Sequence, residues 1–119
     1  MIRHIAPGDI DALLEIERDS FRCDLVSRDE FLERIDQVRV LQVDGQVVAY
    51  GIWYPEGDST YLYSLAVHKY HRRKGYSKIL LEGFLSTKGA HTLHVATNND
   101  GAIELYESYG FRVVETIRD

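Results

Sequence analysis

The chain has 119 residues, 45% of them hydrophobic and 28% charged, with a formal net charge of −5. That is one domain of ordinary globular composition, which excludes a disordered or fibrous chain, and the acidic balance disfavours a general nucleic-acid binder. No apolar run approaches the roughly 20 residues of a membrane span, the start Met1-Ile2-Arg3-His4-Ile5 has no secretory h-region, and the one cysteine, Cys23, excludes an internal disulfide. A cytoplasmic protein is expected.

Ile2 to Ile5 reads as a short strand that ends at Pro7-Gly8-Asp9. Ile10, Leu13, Leu14 and Ile16 then give a helical face through about Ser20. Ser27 stands three residues before Glu30, the spacing of a capping box, and Phe31, Leu32 and Ile35 form a second helical stripe. Val38 to Val43 is β-rich, and Asp44-Gly45 is a hairpin signal. Gln46 to Tyr54 and Thr60 to Val67 are the next two strands, with Pro55 to Asp58 as the loop between them. A helix is predicted from Gly75 to about Thr87, and a strand from Thr92 to Ala96. Ala102, Leu105, Tyr106 and Tyr109 mark a helix face, Gly110 is placed to end that helix, and Phe111 to Ile117 reads as a last strand. The order β-α-α-β-β-β-α-β-α-β predicts an α/β (α+β) protein. Its central mixed sheet has about six strands, with helices on both faces.

Charge is distributed unevenly. Residues 1–36 hold ten acids against five arginines, while Lys69, Arg72, Arg73, Lys74 and Lys78 fall within ten residues that contain no acid. This basic stretch lies between the strand Ser64-Leu65-Ala66-Val67 and the helix that opens at Tyr76-Ser77-Lys78. The first N–H groups of a helix lack internal partners and sit at the positive end of its dipole, so the stretch reads as an anion site that glycine lets a phosphate approach. It lacks the Gly-Lys-Ser/Thr ending of a nucleotide-hydrolysing loop. A solvated basic helix start is the alternative from these residues alone.

The segment resembles motif A of the GNAT superfamily of N-acetyltransferases, Arg/Gln-x-x-Gly-x-Gly/Ala, with Arg72, Gly75 and Ser77 at the signature positions. Ser77 departs from the usual glycine or alanine but stays small. The stretch from Leu93 to Phe111 resembles motif B, with Asn99, Ala102, Leu105, Tyr106, Gly110 and Phe111 in place. Within the superfamily the chain is most similar to the N-terminal protein acetyltransferases of the RimI and NatE types. Ser20-Phe21 and Ser27 to Phe31 are similar to their substrate loop between the first two helices. Those relatives continue into a seventh strand, which is absent here because the sequence stops at Asp119. Three readings follow: a truncated chain, a strand borrowed from a partner such as the second copy in a homodimer, or an open site.

The resemblance implies acetyl transfer from acetyl-CoA directly to an amine, most simply the α-amine of a protein or peptide. A small-molecule amine (polyamine, amino acid or aminoglycoside) and a non-catalytic acyl-CoA-binding module are the alternatives. The resemblance also implies roles. The pyrophosphate would meet Arg72, Arg73, Lys74, Gly75, Tyr76, Ser77 and Lys78, and the thioester carbonyl a backbone N–H among Leu65, Ala66 and Val67. Asn99 would contact the pantetheine arm, with helix capping as its structural role. Tyr106 would protonate the departing thiolate, although its place on an apolar stripe also suits a core tyrosine. A protein α-amine has a pKa of roughly 8 and needs only a mild base. His94, assisted by Tyr61, suits that task, with a surface histidine beside a cross-strand tyrosine as the plainer reading.

Other residues carry no chemistry in this reading. His91 and His94 are three apart on a predicted strand and face opposite ways, so they cannot share a metal, and no metal is expected. Cys23, Ser20 and Ser86 lack the neighbours of a nucleophile. Tyr50, Trp53, Tyr54, Tyr61 and Tyr63 are expected to form a cross-strand aromatic cluster. Neither nucleic acid nor a membrane is an expected partner.

Overall fold

A computed structural model of the chain describes residues 1–21, 25–96, 98–114 and 116. Cys23 and the end of the predicted last strand lie outside them. The elements are β1 (Ile2–His4), α1 (Ile10–Ser20), α2 (Arg28–Glu33), β2 (Val38–Val43), β3 (Gln46–Glu56), β4 (Ser59–Val67), α3 (Tyr76–Leu85), β5 (Ala90–Leu93) and α4 (Asp100–Ser108). Short 3-10 turns at Pro7–Asp9 and Lys69–His71 introduce α1 and follow β4.

The five strands lie in the order β1-β2-β3-β4-β5. The first four are antiparallel neighbours, and β5 joins parallel to β4. Short turns join β2 to β3 and β3 to β4, α1 and α2 lie between β1 and β2, and the parallel step needs the α3 crossover. Asp44 and Gly45 both take positive φ, 50° and 80°, as the tight hairpin turn requires.

Helices cover both faces. On one, Ile10, Leu13, Ile16 and Phe31 of α1 and α2 pack on Val38, Val40, Tyr50, Ile52 and Ala66. On the other, Leu80, Leu81 and Phe84 of α3 pack on Leu41, Ala49, Trp53 and Leu62. Each of the Val, Leu, Ile and Phe side chains among them contributes about 1.5–3 kcal/mol by leaving water. Helix α4 adds the partly buried Leu105, Tyr106 and Tyr109 to that second cluster.

A bulge separates two regimes along β4. Ile52 pairs with Ser64 but Trp53 pairs with Leu62, so Tyr63 is an extra residue in β4. The bulge reverses the inward alternation: Ser64 and Ala66 face α1 and α2, whereas Leu62 below it faces α3. The β4–β5 ladder runs from Ser59↔Ala90 to Leu62↔Leu93 and stops one residue before the bulge. Beyond that point β4 continues to Val67 without β5 beside it.

Three sequence expectations need correction. The loop placed at Pro55 to Asp58 is shorter, because Pro55 and Glu56 still pair with Thr60 and Ser59 and only Gly57-Asp58 turns. The fifth strand lies at Ala90–Leu93 rather than Thr92 to Ala96, since the bulge in β4 removes its partner after Leu93. The sheet has five strands among the described residues rather than about six. Residues 111–114 are not in a strand, and Val113 and Val114 are exposed. The aromatic residues also divide between faces: Tyr50 meets Phe31 edge-on, Trp53 leans on Phe84, and Tyr54, Tyr61 and Tyr63 cluster together.

Candidate active site

β4 and β5 stop pairing after Leu62↔Leu93, and we read the gap beyond as a cleft between two chemically different regions. One is the basic loop before α3. A cavity of about 300 Å³ there is lined by Val67, His71, Arg72, Arg73, Gly75, Tyr76, Ser77 and Lys78. Gly75 caps α3 in the left-handed region at φ 81°, and Arg73 is also left-handed at φ 63°. A left-handed non-glycine residue costs about 1–2 kcal/mol and is held there by its surroundings. The first helical bond runs from Ile79 N–H to the Gly75 carbonyl at 3.2 Å, so the N–H groups of Tyr76, Ser77 and Lys78 have no intrahelical acceptor. A Cβ on Gly75 would meet nothing within 4 Å, so the loop has open space beside it. Free helix N–H groups, space and nearby cations fit a phosphate-bearing ligand.

The cations divide into two sets. The Arg72 guanidinium donates to the Val67 carbonyl at 3.1 Å and to the Ser20 hydroxyl at 3.2 Å, which ties the loop to the end of α1. Lys69 lies 3.8 Å from Asp19, and His68 lies 3.3 Å from Glu15. The polar atoms of Glu15, Asp19 and His68 gather within 4.8 Å of one another, and we read them as an ion-pair cluster with Lys69 that braces the same joint. Arg73, Lys74 and Lys78 make no ion pair among the described residues and are exposed, and Arg73 and Lys78 line the cavity.

The upper half of β4 contributes backbone donors. His68 N–H bonds to the Val48 carbonyl at 2.8 Å. In an antiparallel ladder the hydrogen-bonded positions alternate, so Ala66 also turns toward β3, opposite Tyr50. Leu65 and Val67 therefore turn their N–H groups to the other edge, where β5 has departed. Of the three residues expected to polarise a carbonyl, these two have the required direction.

The second region lies on the α2 side of the sheet. The Tyr61 hydroxyl is 3.1 Å from Nδ1 of His94, with the two rings edge-on at 5.3 Å. His94 follows the last residue of β5 rather than lying within it. His91 turns the opposite way, against Phe84 and Thr87. Burial is the main cause that raises the Tyr61 pKa, followed by its neighbours Tyr54 and Glu56, so its phenol keeps its proton at neutral pH. Beside it stand Tyr54 and Tyr63, and the Arg34 guanidinium lies 4.1 Å from the Tyr63 ring centre and 5.4 Å from that of Tyr54. Glu30 accepts from the Tyr63 hydroxyl and from Arg34 Nε, both at 2.9 Å. Ser27 caps α2 by accepting from Glu30 N–H at 3.1 Å, but the Glu30 side chain does not return the bond because it is committed to this cluster.

Tyr106 is half-buried on α4, with its ring 6.0 Å from that of Phe111. Burial raises its pKa above the ordinary 10.0, so its phenol is protonated at neutral pH. Asn99 caps α4 by accepting from Ala102 N–H at 3.2 Å, the structural role expected of it.

Sequence reading missed the bulge, the Glu30–Arg34–Tyr63 cluster and a buried carboxyl, Glu17. Glu17 had a visible signal: it occupies the i+7 position of the apolar stripe Ile10, Leu13, Leu14, where a charge is unexpected. The bulge had none, since it arises from pairing across strands.

The profile of the Acetyltransferase (GNAT) domain matches residues 34–113. No curated protein sequence matches the chain significantly. Among solved structures, Ard1 from Thermoplasma volcanium is 26% identical, superposes with a TM-score of 0.87, and aligns over 97% of this chain and 84% of its own. A ribosomal-protein-alanine N-acetyltransferase from Brucella melitensis is 26% identical with a TM-score of 0.78, over 94% of this chain and 84% of its own. Arabidopsis thaliana Naa50, in complex with the bisubstrate analogue CoA-Ac-MVNAL, shares the fold at 20% identity and a TM-score of 0.81, over 98% of this chain and 85% of its own. Among the described residues, no helix is long and apolar enough to cross a membrane.

Proposed function

The chain belongs to the GNAT acetyltransferase family and is an acetyl-CoA-dependent N-acetyltransferase, and from that premise we propose that its acceptor is the α-amine of a protein or peptide. The observation that carries this reading is the Tyr61–His94 pair, set where the β4–β5 ladder ends, beside Tyr54, Tyr63 and the Glu30–Arg34 ion pair. The name of the Brucella relative and the peptide-bearing analogue in the Naa50 complex support the same acceptor class.

In this reading the pyrophosphate of acetyl-CoA meets the α3 N-terminus, with Arg73 and Lys78 at the cavity and Lys74 beside them in sequence neutralising its charge. Arg72 acts indirectly, by fixing the loop to α1. The thioester carbonyl accepts from an N–H of Leu65 or Val67. The neutral amine attacks the carbonyl carbon, the C–N bond forms, and the C–S bond breaks. Tyr106 gives its proton to the leaving thiolate. The proton lost by the amine passes to His94. If His94 Nδ1–H donates to Tyr61, Nε2 carries the lone pair and serves as the base.

Release of CoA thiol, measured with acetyl-CoA against short peptides, polyamines and amino acids, tests the proposal. Turnover confined to peptides, and abolished by N-terminal formylation, is the expected result. Turnover on small amines alone overturns the peptide acceptor. Acetyl-CoA binding without turnover on any acceptor favours the non-catalytic alternative.

A further inference from the structure

Glu17 is a glutamate at 2% exposure in the core between α1 and the sheet. Its two oxygens are used differently. Oε1 is paired with the Tyr50 hydroxyl, which is also 3.1 Å from the Ser64 hydroxyl. Oε2 accepts from Val26 N–H at 3.2 Å. Ser64 is the residue after the bulge in β4, and Val26 belongs to the segment that enters α2. One carboxyl therefore joins the bulged strand to the start of α2, whose Glu30, with Arg34 just past the helix end, holds Tyr63 and Tyr54.

We propose that Glu17 is a positioning residue for the acceptor side of the cleft, holding the bulge of β4 through Tyr50 and Ser64 and the start of α2 through Val26. The proposal rests on the reading of that cleft as the site of acetyl transfer. It assigns Glu17 no contact with either substrate.

The same network can exist in two proton arrangements. With Glu17 ionised, Ser64 donates to Tyr50 and Tyr50 donates to Glu17. With Glu17 protonated, Glu17 donates to Tyr50 and Tyr50 donates to Ser64, while Val26 keeps its bond to Oε2 in both. No cation pairs with the carboxyl among the described residues. Burial is the largest influence on its pKa and raises it, the Val26 N–H lowers it, and the negative charge of Glu30 on α2 raises it, to about 7. The other groups facing the carboxyl are Tyr50 on β3 and, through it, Ser64 on β4. The two arrangements are thus both populated near neutral pH, and they differ at the residue next to the bulge.

The test combines amide NMR with kinetics. In the unaltered protein the Val26 and Ser64 amide signals are expected to shift together with one midpoint near 7. In Glu17→Gln both shifts disappear. In Tyr50→Phe the Ser64 shift disappears while the Val26 shift remains, because only the Tyr50 arm is cut. These arms need no acceptor, so they stand or fall apart from the peptide reading. With an accepted amine, Glu17→Gln should raise the acceptor KM about fivefold, as for the loss of one hydrogen bond. The acetyl-CoA Kd should stay within about twofold. Absence of a shared midpoint in the unaltered protein overturns the proposal, as does its survival in Glu17→Gln. An equal change in acetyl-CoA Kd and acceptor KM overturns the acceptor-side assignment.

Discussion

The Tyr61 hydroxyl meets Nδ1 of His94 at 3.1 Å, at the point where β4 and β5 cease to pair. The last ladder pair is Leu62↔Leu93, and His94 is the next residue along β5's path. A histidine inside the ladder would have its backbone held by β4. Just beyond it, the ring is held by its contact with the Tyr61 phenol. The pairing of a titratable ring with a phenol of raised pKa is therefore a product of where the sheet splits.

Replacing His94 with Ala should lower kcat/KM by about 100-fold, the usual range for loss of a general base. Tyr61→Phe should cost about tenfold, a share of the same proton step. The double variant should be no worse than His94→Ala, because the two act as a unit. Thiol-release kinetics on all three proteins check this. Fully multiplicative losses would mean that the two residues act separately.

Tyr106→Phe should reduce kcat by about 100-fold or more, while acetyl-CoA binds as before. The ring keeps its packing against Phe111, so the fold should survive. Calorimetry with acetyl-CoA and single-turnover kinetics separate the two effects. A loss of binding equal to the loss of rate would make Tyr106 a packing residue instead of an acid.

Gly75→Ala should destabilise the protein by about 1–2 kcal/mol, the cost of an L-residue in the left-handed region. The new Cβ meets no atom, so the cost is backbone strain alone. If the loop relaxes toward negative φ, the α3 N–H groups turn and acetyl-CoA binding weakens. Urea unfolding and calorimetry report both quantities. Unchanged stability and affinity together would show that the positive φ is not required.

Glu17 predicts a pH dependence of stability. Its folded pKa of about 7 exceeds the ordinary 4.5, so the folded state favours the protonated form. Its stabilisation relative to the ionised form is fully present below 4.5 and is lost as pH rises to 7. The span corresponds to roughly 3 kcal/mol. Glu17→Gln cannot titrate and should lack that loss, so it gains on the unaltered protein between pH 5 and pH 8. Denaturant midpoints at the two pH values measure the difference. Parallel pH dependence in both proteins would remove Glu17 from the account.

Local patterning carried a long way in this protein. The 3.6-residue stripes of α1, the Asp44-Gly45 turn, the Ser27 and Asn99 caps and the stop at Gly110 depend on neighbours within a few residues, so they are legible in the chain. The two motif stretches, Arg72 to Ser77 and Asn99 to Phe111, pointed to the family for the same reason. What tertiary structure decided depends on distant partners. The bulge at Tyr63 exists only in the register of β4 against β3, and it moved β5 to Ala90–Leu93 and left His94 beyond the ladder. Arg72, at the first motif position, lines the cavity and is also tied to the end of α1 by acceptors 5 and 52 positions away. Glu17 reads as a stray charge on an apolar stripe and becomes a junction only once Tyr50, 33 residues later, is folded against it. Sequence spacing encodes helices, caps and turns, because their hydrogen bonds are local. Strand register and buried polar pairs are settled by long-range packing, which no local pattern records.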